Sequence, residues 1–491
     1  MTKKKQEQQQ RSVRVLVLAD AGTAITGFGG VIRNILHELV NDKELKLDID
    51  QVGINFSGDF YDMNKFPYRI YPALAPIVDK TYTDLYGRQR IINALLGRDP
   101  AIVAPFDILF TLQDPFIMEG MTKGVDQCRE AYKKEGFNFK WIAYYPADGA
   151  YKENWSDTVM KADYPVMYTE YGKNEVAKRI NPKKEQEVKD KVGVIYHGTN
   201  TKEFFPVGDK EKKEFRQKFF VKDDKPLIKE NTFLVTNVNR NQIRKDIMRS
   251  MKVFKEFKKM RPDSMLYLHM KNEDAGGTIK EYARRLNMVE GEDYILPAAF
   301  NESRGYPVNV LNMIYNVSDL VMTTTLGEGW GLSITEAMST KTPVIAPHHT
   351  SIPELFGTTR IKGNESIDNF HFDDIRGIPI KTDGWFCQGR ADTEQMRPLT
   401  DEKDMINKMI WAYDNPDKCK KIAENAYKWV VKLKWSKIGK EWKEVFKKAI
   451  DEIKGEYAAN KAVGQGTDVK TPKGGNAKDT DDKRKAKPSK A

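Results

Sequence analysis

Short aliphatic runs recur along the chain, each closed by glycine, proline or a polar residue and followed by a stretch with helical spacing. The early runs are Val13–Leu18, Leu47–Ile54, Ile108–Leu112, Trp141–Tyr145 and Val166–Thr169; the later ones are Phe233–Val238, Met265–His269, Tyr294–Leu296 and Leu320–Thr325. Runs this short and this continuously apolar predict strands covered on both faces, as in a parallel sheet. Helices are predicted between them over Val31–Leu39, Ile247–Met260, Val308–Ser318 and Leu332–Ser339. From Asp401 to Lys454 the pattern is helical throughout, with Met405, Ile406, Met409, Ile410 and Tyr413 at helix spacing. This alternation predicts an α/β protein built from doubly wound, Rossmann-like units. With 491 residues the chain exceeds what one core usually holds, so two domains are expected, 12–203 and 204–400, followed by helices over 401–454. Residues 1–11 and 455–491 are polar and lack any hydrophobic period, which predicts disordered ends.

One stretch concentrates candidate chemistry. From Asp319 to Pro347 an apolar run stops at a loop carrying Gly327, Gly329 and Gly331, and a helical segment then begins at Leu332. Glycines at such a corner let backbone approach a ligand, and the helix start leaves N–H groups that can hold a phosphate. Two carboxylates flank the corner, Glu328 in the loop and Glu336 about one turn into the helix. The second domain opens on another such junction, where Arg240, Arg244 and Lys245 follow Phe233–Val238 and bring cations to the carboxyl end of that strand. Cations there would neutralise a diphosphate.

The run EGWGLSITEAMSTKTPVIAP resembles the signature of retaining glycosyltransferases of family 4, which have the GT-B fold of two Rossmann-like domains facing a cleft. The resemblance implies that Gly329, Trp330, Gly331 and Leu332 form the turn that takes the diphosphate and sugar of a nucleotide-sugar, a UDP- or GDP-sugar, as donor. It implies that Glu328 lies at the donor sugar, that Glu336 binds the ribose hydroxyls, and that Lys245 with Arg240 or Arg244 binds the phosphates. It also implies that Gly29 and Gly30, in the first glycine-rich turn, sit under the donor phosphates beside the acceptor. YYPADG, with Asp148, resembles an acceptor-side loop, and KLKWSKIGKEWKEVF a closing helix that crosses back to the first domain. The segment VIYHGTNTKEFFPV resembles the interdomain turn, with His197 expected as a packing residue at the hinge, and Glu354 is expected to be a capping or structural residue. Asp114 and Asp148, at the carboxyl ends of strands, are site candidates, although Asp114, before Pro115, reads first as turn chemistry. No cofactor and no metal is implied.

Composition changes this picture little. Cys128, Cys387 and Cys419 are odd in number and scattered, and the six histidines give no zinc spacing, so reduced thiols are expected. No stretch approaches the roughly 20 apolar residues of a membrane helix, and MTKKKQEQQQ has no signal-peptide core, which predicts a cytoplasmic protein. The net charge of +11 favours an anionic partner. Acceptors compatible with these features are a glycan, a lipid or a hydroxymethylated base in DNA. The other reading is an inactive GT-B scaffold that binds a partner.

Overall fold

The computed structural model describes residues 12–74, 84–180, 185–298, 300, 305–360 and 374–462. The ends expected to be disordered, 1–11 and most of 455–491, lie outside them.

Seven strands form the first sheet: β1 (Val13–Asp20), β2 (Leu47–Ile54), β3 (Arg69–Pro72), β4 (Ile108–Leu112), β5 (Lys140–Tyr145), β6 (Tyr164–Met167) and β7 (Gly193–Val194). Their order is β3-β2-β1-β4-β5-β6-β7, and every neighbouring pair is parallel. Val15 to Ala19 of β1 have no exposed surface, because helices cover both faces, and this is why the strand reads as an unbroken apolar run. The second sheet repeats the plan with β8 (Phe233–Val238), β9 (Ser264–His269), β10 (Tyr294–Ile295), β11 (Leu320–Met322), β12 (Val344–Pro347) and β13 (Ile378–Ile380). Here the order is β10-β9-β8-β11-β12-β13, again parallel. Each sheet reverses its order beside its first strand, and a doubly wound sheet binds ligands outside the carboxyl ends of the strands at that reversal.

The helices that matter for the site are α1 (Gly27–Val40), α2 (Glu170–Arg179), α3 (Ile247–Met260), α4 (Val308–Val317), α5 (Leu332–Ser339), α6 (Ile352–Phe356), α7 (Glu402–Asp414), α8 (Pro416–Val430) and α9 (Trp435–Ala462). Helix α1 starts at Gly27, four residues before the expected start, because the Thr26 hydroxyl accepts the Gly29 N–H at 2.9 Å and caps it. Helix α9 returns to the first domain. Its Trp442 and Phe446 rings lie 5.2 and 5.4 Å from Phe110, and Lys443 pairs with Asp42 and Glu44 at 2.8 Å each. It also extends through Gly455 to Ala462, past the expected end at Lys454.

Other expectations shift for physical reasons. Strand β11 ends at Met322, three residues early, because the buried hydroxyls of the next residues seek other partners. Thr324 donates to the Asp246 carbonyl at 2.8 Å and Thr325 to the Gly327 carbonyl at 3.0 Å, which turns the chain out of the sheet. The chain after Thr358, which has no hydrophobic period, supplies β13 and an antiparallel ribbon of β14 (Thr382–Phe386) with β15 (Arg397–Thr400).

One hydrophobic core crosses the domain boundary, running from Phe110 and Tyr144 through Tyr168 and Trp330 to Ala337 and Ala426. Glu354 of α6 reinforces it by accepting the N–H groups of Glu170 and Tyr171, at 3.0 and 2.6 Å, and the Tyr196 hydroxyl at 2.9 Å. Of the two roles expected, capping or structural, the residue thus takes the cap, and for a helix of the other domain. A carboxylate at a helix start is favoured by the helix dipole.

Candidate functional site

After β8 the chain makes a single 3-10 turn, Ile243–Lys245, and Asp246 follows in the left-handed region at φ 46°. The turn points Arg244 and Lys245 at the loop that follows β11. Lys245, 8% exposed, places its Nζ 2.5 Å from Glu328 Oε1. Arg244 Nη1 lies 3.4 Å from Glu328 Oε2 and donates to the Gly327 carbonyl, while its Nε lies 3.2 Å from Asp148 Oδ2. The two loops are laced together by the Leu326 N–H donating to the Arg244 carbonyl at 2.7 Å. Glu328 is fixed from the other side by Thr350, whose hydroxyl accepts its N–H at 3.1 Å. Asp148, on the first domain, is held as well by Arg397 of β15, which donates to its carbonyl at 2.8 Å.

Electrostatics follow from this packing. Burial pushes the Glu328 carboxyl up, but the charges of Lys245 and Arg244 outweigh it and hold the group well below the usual range. Burial pulls Lys245 down, and Arg244 adds to the effect against the pull of Glu328. Glu336 lies in a different setting. Tyr315 donates to its Oε2 at 2.7 Å, and burial pushes it up to about 7.

The glycines of the corner are dictated by the facing domain. A Cβ on Gly327 would lie 1.8 Å from the Asp148 carbonyl oxygen, and one on Gly329 would lie 2.9 Å from Pro146 Cβ. Gly331 caps α5 at φ 102°, a conformation that side chains rarely adopt. Leu332 Cδ1 would contact a Cβ on Gly27 at 3.4 Å, so the starts of α5 and α1 face one another across the cleft. Trp330 is buried, 5.1 Å from Tyr196 and 5.4 Å from His197, and its indole N–H has no partner among the described residues. His197 packs between Tyr168 and Trp435, and burial pulls it down to about 3, consistent with a neutral hinge residue.

Of the residues singled out from sequence, Glu328, Lys245, Arg244 and Asp148 therefore meet at one point between the domains, beside the loop of Gly329, Trp330, Gly331 and Leu332. Glu336 stands on α5 against α4. Arg240 does not join them. It is 63% exposed and pairs with Asp274, Nε to Oδ2 at 2.7 Å. Gly29 and Gly30 lie in the first turn of α1, not in the loop, and the Thr26 hydroxyl and carbonyl accept their N–H groups at 2.9 Å each. Gly29 must be glycine because a Cβ would sit 2.5 Å from the Ala24 carbonyl. Sequence reasoning missed Arg397, in a segment without periodicity, and Thr350 and His349, the latter 3.1 Å from the Thr325 carbonyl. Nothing in their spacing marks them.

No protein-family model and no curated protein matches the sequence. Solved structures do match along most of the chain. A sucrose-phosphate synthase from Thermosynechococcus elongatus superposes with a TM-score of 0.61 at 14% identity, covering 90% of this chain and 100% of that one. Anabaena HepE in complex with UDP and glucose gives 0.58 at 12%, covering 89% and 99%, and the catalytic domain of Arabidopsis thaliana starch synthase IV bound to ADP and acarbose gives 0.58 at 12%, covering 90% and 100%. The chain has the GT-B fold. Its Lys245–Glu328 contact thus lies where the two GT-B domains face each other. Among the described residues, no helix is long and apolar enough to cross a membrane, and no cluster of three or more His, Cys, Asp or Glu could hold a metal ion.

Proposed function

We propose that the protein is a retaining glycosyltransferase that moves a hexose or pentose from a UDP- or GDP-sugar to an acceptor hydroxyl, in the cytoplasm and without a metal ion. The observation that carries the reading is the pair of cations, Arg244 and Lys245, converging on Glu328 beside the start of α5. In the transfer, the bond from the anomeric carbon to the diphosphate breaks and its electron pair leaves on the nucleoside diphosphate. The acceptor oxygen bonds to that carbon on the same face, and its proton ends on the diphosphate or in water. Lys245, Arg244 and the N-terminal amides of α5 stabilise the charge that grows on the leaving group. Glu328 orients the donor sugar and stabilises positive charge at the anomeric carbon, and Glu336 takes the ribose hydroxyls. The structural neighbours solved with UDP and with ADP support a nucleotide donor.

The test is a thermal-shift panel of UDP-glucose, UDP-galactose, GDP-mannose and ADP-glucose, followed by NMR assignment of the product anomer. A donor present at about 100 times its Kd stabilises by about 2.7 kcal/mol. Lys245→Ala should abolish that protection and lower turnover by about 100-fold or more. Full donor turnover in Lys245→Ala would remove the phosphate role, and an inverted anomer would remove the retaining assignment.

A further inference from the structure

Three carboxylates stand at or just beyond the first domain's strand ends, and among the described residues Asp148 is the one paired with cations of the second domain. Asp20 accepts from the Thr26 hydroxyl and, at 3.1 Å, from Asn55, and Asp114 makes no capping bond to the helix Pro115–Glu119 that it precedes. The loop that carries Asp148, residues 146–149, lies on the glycine corner. Pro146 stands against Gly329 and the Asp148 carbonyl against Gly327, so the loop covers the face of the corner that would receive a diphosphate.

The ribbon grips this loop from its other side. A Cβ on Gly149 would lie 3.4 Å from Arg397 Nη1, and Lys152 pairs with Glu394, just before β15, at 2.8 Å. Arg397 also reaches the corner itself, since a Cβ on Gly327 would lie 2.9 Å from its Nη1, and Arg244 Nη1 donates to the Gly327 carbonyl. Both guanidinium groups therefore meet at Gly327 and Asp148.

They hold the Asp148 carboxylate loosely. Arg244 Nε lies 3.2 Å from Oδ2 and Arg397 Nη1 3.6 Å from Oδ1, against 2.5 Å between Lys245 and Glu328 in the same cluster. Charge-assisted hydrogen bonds to a carboxylate are best at about 2.7–2.9 Å. The Asp148 side chain is also 28% exposed, where Glu328 is 10%. A carboxylate that meets two arginines at a stretch, with water beside it, gives way to an anion of higher charge and more acceptor oxygens. Arg397 is 4% exposed, so an anion that reached it would be met in a desolvated setting, where charge counts most.

On the glycosyltransferase reading above, we propose that Arg397 is a third cation of the donor's diphosphate site, and that Asp148 is an internal counter-ion holding Arg397 and Arg244 until a diphosphate displaces it. The exchange is ionic and breaks no covalent bond. The diphosphate takes the arginines, Asp148 goes to water, and loop 146–149 lifts from the corner to uncover the N–H groups at the start of α5. The donor thus opens its own site, at the cost of competing with Asp148.

Isothermal titration of the full chain with UDP, GDP, ADP and inorganic pyrophosphate, at fixed ionic strength, tests this. Asp148→Asn should lower the Kd of whichever ligand binds the wild type by about tenfold, because it removes the competitor. Arg397→Gln should raise that Kd by about tenfold, and Arg397→Lys, which keeps the charge, by less than about threefold. In the Arg397→Gln chain, Asp148→Asn should gain less than about threefold, since the two residues act through one contact. Weaker or unchanged binding in Asp148→Asn would overturn the counter-ion, a sign that a donor-binding or merely structural Asp148 would give. Unchanged binding in Arg397→Gln would overturn the third cation. Asp148→Asn alters one partly exposed side chain and decides the matter even where the Arg397 variants do not fold. A wild type that binds diphosphates but transfers no sugar would remove the transferase reading and leave the counter-ion standing. Sugar transfer without tighter binding in Asp148→Asn would do the reverse, and a wild type that binds none of the four ligands would remove the proposal.

Discussion

The two domains share one strand order over six strands, to which the first adds a seventh, and the same parallel pairing, but they bring different balances of charge to the cleft. At its strand ends the first domain offers Asp20, Asp114 and Asp148. The second offers Arg244, Lys245 and, from the ribbon after its last strand, Arg397, around the single carboxylate of Glu328. The sheets contribute little to this difference, since most of their residues are buried and apolar in both and only Asp20, at the end of β1, belongs to one of their strands. It arises in the loops, where three or four side chains decide what a shared scaffold can hold. A smaller comparison makes the same point. Arg240 and Arg244 are four residues apart on one strand-to-helix connection, and only Arg244 is aimed at Glu328, because it lies in the 3-10 turn Ile243–Lys245 and Arg240 lies before it.

The comparison can be broken most severely at Gly327, where the domains come closest. Gly327→Ala puts a methyl group against the Asp148 carbonyl, and donor-dependent activity should fall by about 100-fold as the cleft is forced open. Small-angle scattering should then report a larger radius of gyration with each domain still folded; an unchanged radius and unchanged activity would refute the close contact. Next comes the arginine pair. Arg244→Ala should weaken donor protection by about tenfold or more in apparent Kd, since it removes a charge from a half-buried site and frees Asp148. Arg240→Ala should change it by less than about twofold, because it loses only an exposed pair with Asp274. Equal effects of the two would erase the distinction.

A gentler effect is expected from Glu336. Its pKa in the fold is raised above its unfolded value to about 7, so the native state binds more protons than the unfolded chain between the ordinary carboxylate range and about pH 7. Stability should therefore decline as pH rises through that window. Glu336→Gln keeps an acceptor for the Tyr315 hydroxyl and removes the titration. Melting curves of the ligand-free variant should match the wild type near pH 5 and exceed it by a few degrees at pH 8; parallel curves would show that the burial of Glu336 has no such cost. Smallest of all, Cys128→Ser should leave donor protection and turnover unchanged, because Cys128 is buried in the first domain's core away from the cleft.

Much of this architecture is legible in the chain. Val13–Asp20, Leu47–Ile54, Ile108–Leu112 and Phe233–Val238 announce themselves as strands because both faces are covered, and continuous burial leaves a continuous apolar run. The Glu328 corner was legible for a similar reason: close approach of another backbone allows nothing larger than glycine, and the need appears as a pattern of glycines. Strands β3 and β7 escaped notice because they are short edge strands, only partly buried. Arg397 and Thr350 escaped because their importance depends on partners far along the chain. The sequence alone therefore settles where the fully buried strands, the helices beside them and the glycine corner fall, though not their ends, since burial and backbone conformation are local demands that each residue type must meet. Which cation meets Glu328, which first-domain carboxylate reaches the arginines, and which helix Glu354 caps are decided only in three dimensions, because a hydrogen bond reaches about 3 Å through space and takes no account of separation along the chain.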